Sequence, residues 1–259
     1  MTTDTYLRTA TETPRVTDLI VTIGGSCIEG TAEDRRQILL DALDGDEFDT
    51  KERITLAAVN LVLSQGVHAA PIDAIATQAR VSKGAVFYTF GSRDKLIMHV
   101  LATLVDVLAL SMAEARGGLR GREALEGVIR EVLTLTVRNH AAVHTIFSEI
   151  TRPDSKWGVT VAAMVKGVYQ PLAEILCEIG LFEEPVSMND MLAISFPSPN
   201  DDANIADYPD AQRLRVSIVA IVGAIFLVGQ TLATQSADAA MIDAATNHLL
   251  ELAQIGSHS

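Results

Sequence analysis

Cysteine, positive charge and long apolar runs are all scarce in this chain of 259 residues. Its two cysteines, Cys27 and Cys177, have neither metal-binding spacing nor the pattern of a disulfide framework, which fits a reducing compartment. The N-terminus lacks a basic start followed by an apolar run, so we expect no signal peptide. The longest apolar run, residues 218–229, is shorter than the roughly 18 residues expected of a membrane span. We therefore expect a cytoplasmic protein with no membrane partner.

The charge is unevenly distributed along the chain. The net charge is −13, with −7 in residues 1–50 and −9 in residues 106–259, whereas residues 51–105 carry +3. Lys and Arg side chains neutralise nucleic-acid phosphates, and a locally basic segment is the usual footprint of that interaction. The overall acidity therefore does not exclude DNA binding by this segment.

Three short helices are predicted in the net-basic segment. Lys51–Gln65 has helical apolar spacing, and Gly66 is placed to end it as a left-handed cap. Pro71 suits the first turn of a second helix that runs to Ala79, and Ser82 can cap a third. Two such helices joined by a tight turn are typical of a helix-turn-helix, whose second helix fits a DNA major groove.

The predicted third helix begins with small and basic residues, which allow a close approach to DNA. Lys83 can reach a phosphate or a guanine, and the Ala85 methyl group can touch a thymine methyl group. A small helical bundle with no ligand is the alternative, since this geometry also occurs in proteins that do not bind DNA. The predicted DNA-binding residues are Ser82, Lys83, Gly84, Ala85, Phe87, Tyr88, Thr89, Arg93 and Lys95.

The run Ile54–Leu96, above all VSKGAVFYTF at 81–90, resembles the DNA-binding domain of the tetracycline-repressor (TetR) family, over about one fifth of the chain. The resemblance implies an all-α homodimer with an N-terminal three-helix DNA-binding domain, followed by a helical ligand-binding and dimerisation domain. It also implies repression of transcription until a small ligand releases the protein from DNA.

Four features depart from the family pattern. Residues 70–71 are Ala-Pro where the family commonly has two hydroxyl residues, and Asp73 replaces an arginine. Arg80 stands at a turn position often filled by glycine, where a positive φ would cost roughly 1 kcal/mol. Phe87 replaces the usual tyrosine, whose hydroxyl its neighbour Tyr88 can supply. These changes affect the operator sequence and the affinity rather than the fold.

We divide the chain into an extension at 1–50, the DNA-binding domain at 51–98 and the second domain at 99–259. Arg35–Leu43 in the extension has the pattern of a short amphipathic helix. The extension is either a tail that is partly disordered or folds over the body, or an acidic arm that competes with DNA or binds a partner. The first is favoured, because runs of charge are usually solvated. The proline-rich stretch 181–210 is either a lid over a pocket or disordered.

The resemblance also implies that the last two helices, at 211–235 and 237–254, form the dimer interface, and the apolar pattern supports this. The segment Ile218–Leu227 is apolar nearly all round, so it needs cover on more than one side. An antiparallel pair of helices from each subunit would form a four-helix interface.

The second domain offers candidates for a largely apolar ligand site with a few polar anchors, although each is also a plausible core residue. His140 and His144 have a spacing that suits a metal, but no third ligand is evident, so we expect no metal and no cofactor. The predicted ligand-binding residues are Met112, Asn139, His144, Phe147, Trp157, Met164, Tyr169 and Phe226.

No arrangement of nucleophile, base and oxyanion donors, and no phosphate-binding glycine loop, is evident in the sequence, so we do not expect an enzyme. The expected function is that of a repressor released from an inverted-repeat, double-stranded DNA operator by a small, largely apolar effector. The alternative is a DNA-binding or protein-interaction regulator with no small-molecule effector.

Overall fold

Every regular element described in the computed structural model is helical. The chain packs as two compact units, which we call the N-terminal unit (1–107 with 138–161) and the C-terminal unit (108–137 with 162–259). The structure describes residues 16–20, 32–45, 47–67, 70–140, 143–144, 147, 165–182, 209–235 and 237–254.

The N-terminal unit is built on helices that pack in sequence, α1 against α2, α2 against α3 and α3 against α4. A single core receives buried side chains from each of them and from the start of α5. The helices are a short one at 16–20, α1 (Ala32–Asp44), α2 (Thr50–Gln65), α3 (Ile72–Gln78), α4 (Lys83–Phe90) and α5 (Arg93–Arg116), whose last turns belong to the C-terminal unit.

The segment that precedes the predicted DNA-binding domain contributes to this core. Val16 and Ile20 are buried, and so are Leu39 and Leu43 of α1, the helix that contains the predicted Arg35–Leu43 segment. Burying one such aliphatic side chain contributes about 1.5–3 kcal/mol. The core around the helix-turn-helix is therefore larger than the motif itself.

Helix α2 has a defined cap at each end. The Asp49 carboxylate accepts the Glu52 N–H at 2.9 Å, and the Glu52 carboxylate accepts the Asp49 N–H at 2.8 Å, which makes a capping box. At the other end Gly66 donates its N–H to the Val62 carbonyl. Gly66 has φ 86° and ψ 162°, so the glycine end is confirmed but its left-handed helical form is not. This conformation is open essentially to glycine alone.

The C-terminal unit holds longer helices, and within it α8 packs against α7 and α9. The helix type changes near Pro171, where a π-helical turn gives way to α7 one residue before the proline. The elements are the end of α5, α6 (Gly121–Arg138), the π-helical turn Val165–Tyr169, α7 (Gln170–Glu178), α8 (Pro209–Thr234) and α9 (Ala239–Gln254).

Helix α6 makes close contacts with both of the last two helices. A Cβ added to Gly229 of α8 would lie only 2.5 Å from Cγ2 of Thr136 in α6, so glycine permits the two helices to approach. The Arg130 guanidinium in α6 donates to Glu126 at 2.9 Å and to Asp243 of α9 at 2.8 Å. Both α8 and α9 are thereby held against α6.

Two described helices are long and apolar enough to cross a membrane by length and hydropathy, namely α5 and residues 216–234 of α8. The apolar run at 218–229 thus lies within a longer apolar window than the sequence suggested. The α5 window is 61% buried inside the protein, whereas the α8 window is only 22% buried. Helix α5 is therefore largely a core helix, and α8 carries an uncovered apolar face.

Candidate nucleic-acid interface

The first turn of α4 is capped and sterically open. Ser82 Oγ accepts the Ala85 N–H at 3.0 Å, which confirms the predicted cap. A Cβ added to Gly84 would meet only Ser82 Oγ, at 3.7 Å, which is ordinary contact. A second molecule can therefore approach the backbone of this turn closely.

The sides of α4 have different environments. Val86 is buried, and Phe90 packs against the same core. Ala85 and Thr89 are half-buried, with the Thr89 hydroxyl donating to the Ala85 carbonyl. We define the outer face of α4 as its exposed residues Lys83, Gly84, Phe87 and Tyr88, of which Tyr88 is 94% exposed. This face is free to meet a groove, with a tyrosine hydroxyl next to the phenylalanine.

Arg80 takes the conformation that the sequence raised as a possibility. Its φ is 55°, and it is the only non-glycine residue with positive φ in the described part of the chain. Arg80 donates its N–H to the Thr77 carbonyl, and Val81 donates to the Ala76 carbonyl, which are the two hydrogen bonds of a Schellman motif. The strained residue thus closes α3 and sets the direction in which the chain enters α4.

Asp73 of α3 faces Lys83 of α4. The Lys83 ammonium lies 2.9 Å from one carboxylate oxygen of Asp73 and 3.0 Å from the other. The predicted DNA-contacting cation is therefore already paired within the motif.

Arg93 and Lys95 begin α5 and differ in their contacts. The Arg93 guanidinium donates to the Val67 carbonyl at 2.6 Å and to the Ala70 carbonyl at 3.5 Å, so it holds the chain between α2 and α3. Lys95 is exposed, and its N–H donates to Ser92 Oγ at 3.2 Å. Sequence reasoning did not foresee the structural contacts of Arg93, because they join residues more than twenty positions apart.

The described residues among the ligand-binding candidates are divided between the two units. Asn139, His144 and Phe147 belong to the N-terminal unit, whereas Met112, Tyr169 and Phe226 belong to the C-terminal unit. Trp157 and Met164 lie outside the described residues, as do 183–208 of the predicted loop. Within the described residues, no group of three or more His, Cys, Asp or Glu side chains is arranged to hold a metal ion.

A cavity of about 410 Å³ lies in the C-terminal unit where α5 ends and α6 begins. Its walls combine apolar side chains, two guanidinium groups and the turn between the two helices. Of the predicted ligand-binding residues that the structure describes, Met112 lines this cavity. Its lining residues are Met112, Ala113, Arg116, Gly117, Gly118, Leu119, Arg120, Val128 and Pro171.

An ion-pair cluster adjoins this cavity. Arg116 pairs with Glu174 at 2.8 Å and with Glu178 at 2.9 Å, and Glu178 also accepts the Gly121 N–H at 2.8 Å. The Gly121 N–H, with the charge of Arg116, lowers the pKa of Glu178 below its ordinary value. The cluster thereby ties the end of α5 to α7 and to the start of α6.

The sequence comparisons agree with the helix-turn-helix geometry. The model of the bacterial regulatory proteins of the tetR family matches residues 54–100. Over 102 residues the chain is 32% identical to the uncharacterized HTH-type transcriptional regulator TtgW of Pseudomonas putida, covering 39% of this chain and 72% of TtgW. It is equally identical over 102 residues to the HTH-type transcriptional regulator SrpR, also of Pseudomonas putida, but that match spans only 45% of SrpR.

Solved structures extend the similarity to most of the chain. The regulator FadR from Bacillus subtilis, in complex with stearoyl-CoA, superimposes with a TM-score of 0.55 and 20% identity, covering 80% of this chain and 98% of FadR. A TetR-like transcriptional regulator from Rhodococcus sp. RHA1 gives a TM-score of 0.50 and 19% identity, covering 81% and 97%. At this level of identity the similarity establishes the fold and not the ligand.

Proposed function

This chain belongs to the TetR family of bacterial regulatory proteins, and on that premise we propose that it is a homodimeric repressor, released from an inverted-repeat operator by a small ligand. The observation that carries the proposal is the start of α4, where a capped and open turn presents Lys83 and Gly84 to solvent while Val86 anchors the helix in the core. A regulator of this kind binds double-stranded DNA in the cytoplasm.

The apolar surface of α8 supports the homodimer. Leu214, Ile218 and Ile225 lie on one side of the helix and are buried within the subunit. Val216 and Leu227 lie on the opposite side at helical spacing and are 61% and 65% exposed. A monomer that leaves such a face in water loses the free energy of its burial, and the same face on a second copy covers it by two-fold symmetry. We assign this face to a second subunit rather than to a membrane.

The cavity at the end of α5 supports a small-molecule effector. Its volume of about 410 Å³ is in the range of ligand pockets, and apolar residues such as Met112 and Val128 line it beside Arg116. FadR from Bacillus subtilis, of related fold, is in complex with stearoyl-CoA. Residues in the last turns of α5 line the cavity, so an occupant there would contact this helix.

The DNA-binding part of the proposal is tested by footprinting purified protein on fragmented genomic DNA. We expect an imperfect inverted repeat whose half-sites lie about one helical turn apart, roughly 34–36 Å, or somewhat further. Gly84→Leu should abolish this footprint and leave the protein folded, because the added Cβ makes only an ordinary contact with Ser82 in the free protein but the side chain would meet DNA in the complex.

Gly45→Leu is the matched control, since a Cβ added to Gly45 also makes only ordinary contacts and this residue lies outside the helix-turn-helix and the cavity. A footprint that survives in Gly84→Leu, or is absent from the wild-type protein, would contradict the assignment of α4 to the groove. Circular dichroism on each variant shows whether the helices are retained.

A further inference from the structure

The cation at the start of α4 has an anionic partner before any DNA is present. Lys83 Nζ lies within 3.0 Å of both carboxylate oxygens of Asp73. The side chains of Lys83 and Asp73 are 54% and 72% exposed, so both are accessible to an approaching backbone. The pair joins α3 to α4 and is thus a link between the two helices of the motif.

A DNA phosphate and the Asp73 carboxylate offer the same chemistry to the Lys83 ammonium. Each supplies anionic oxygen acceptors, and each is best placed close to Nζ. A carboxylate that stays beside a bound phosphate adds repulsion between like charges. When DNA docks through Lys83, a phosphate therefore replaces the Asp73 carboxylate. The Lys83–Asp73 ion pair of the free protein must first break.

We propose that Asp73 competes with DNA for Lys83, is displaced when DNA docks, and so lowers the affinity of this motif for DNA. The inference rests on the proposed function, because it takes α4 as the helix that meets the groove. An exposed ion pair contributes little to stability, so its loss on docking should change the binding constant by a factor of roughly 1.4 to 5.

Asp73 also has a role that does not involve Lys83. It lies in the first turn of α3, where a negative charge interacts favourably with the helix dipole. Its charge would also repel DNA wherever Lys83 pointed. The proposal requires that Asp73 act through Lys83, and this is what an experiment must separate.

A double-mutant cycle makes the separation. The wild-type protein, Asp73→Asn, Lys83→Ala and the double variant are compared by fluorescence anisotropy on a random-sequence duplex and on the footprinted operator, over a series of salt concentrations. Asp73→Asn should tighten binding, and the gain should be roughly 1.4- to 5-fold larger when Lys83 is present than in the Lys83→Ala background. Lys83→Ala should also flatten the salt dependence of binding in the Asp73→Asn background by about 0.9 in the log–log slope.

Asp94→Asn is the matched control, because Asp94 is a second exposed acid in the first turn of a helix of this unit. It removes the same charge without touching the Lys83 pair. An equal gain from Asp94→Asn and Asp73→Asn, or a cycle with no coupling, would overturn the proposal and leave only general repulsion.

The random duplex keeps this test independent of the operator. Coupling on random DNA without any operator footprint would support the competition by Asp73 and refute the proposed function. A clear footprint without coupling would support the proposed function and refute the competition by Asp73. Thermal denaturation of the four proteins shows that binding is compared between folded states.

Discussion

In the N-terminal unit, α1 to α4 pack apolar side chains into one shared core, whereas in the C-terminal unit α8 buries apolar side chains on one side and exposes apolar side chains on the other. Val86 of α4 is buried while its neighbours on the outer face are polar, basic or aromatic. On α8, Val216 and Leu227 are exposed although the opposite side of the same helix is packed. The first arrangement suits a surface that meets a charged polymer, and the second suits a surface that meets its own copy.

The largest effect is expected from a change at Leu227, on the exposed face of α8. If the proposed dimer forms through α8, Leu227→Asp should convert it to monomers, because each dimer receives the change twice and an interface centre carries about 2 kcal/mol or more per residue. The dimer dissociation constant should rise by about a thousand-fold, measured by analytical ultracentrifugation, and operator binding should fall with it.

Leu110→Asp is the control for this change, since Leu110 is an exposed leucine on α5. It should leave the dimer intact. A dissociation constant that is unaltered by Leu227→Asp would show that the exposed face of α8 is not the contact between subunits.

A smaller effect is expected at Arg80 in the N-terminal unit, where the packed structure holds a non-glycine residue at a positive φ. Arg80→Gly should be more stable than Arg80→Ala by about 1 kcal/mol in urea unfolding, because only alanine pays for the positive φ while both lose the arginine side chain.

At Gln37, an exposed position inside α1, the order should reverse, with alanine more stable than glycine by about 1 kcal/mol. Equal stability of the two variants at position 80 would mean that the turn does not hold this residue in the left-handed region.

The smallest effect is expected from the ion-pair cluster of the C-terminal unit. Glu178 has a lowered pKa in the folded protein, chiefly through the Gly121 N–H, so its contribution is present above its ordinary pKa of about 4.5 and is lost as the pH falls through the lowered value. Glu178→Gln should therefore reduce the loss of thermal stability between pH 7 and acid.

Glu123→Gln, at an exposed glutamate in the first turn of α6, is the reference for a general loss of negative charge. If the two variants and the wild-type protein lose stability in parallel on acidification, Glu178 does not titrate with folding.

Local features were readable from the sequence because they depend on near neighbours. The Ser82 cap needs only the Ala85 N–H three residues on, and the end of α2 needs only a glycine at position 66. The reversed charge at position 73 and the unusual residue at position 80 were also visible. Only the structure shows that Asp73 pairs with Lys83 and that Arg80 forms a Schellman turn.

The ligand-binding residues named from the sequence stay a prediction. They combine bulky residues on predicted helices with polar anchors such as Asn139 and His144, and core residues share these properties. Met112 lines the described cavity, but Arg116 and Arg120 were not anticipated, because the turn at Gly117 brings them to its wall. In the sequence, the pair of glycines that follows α5 indicated a turn at this position.

The sequence by itself determined the cap at Ser82 and the glycine end at Gly66, which segment is basic, and that the motif is a helix-turn-helix, since these follow from hydrogen bonds and charges within a few residues. The tertiary structure alone decided that Leu39 and Leu43 complete the core of the motif, that Arg93 holds Val67, and that Gly229 lets α8 approach Thr136. Packing decides contacts of this kind, because they join side chains far apart in the chain whose fit depends on the whole backbone.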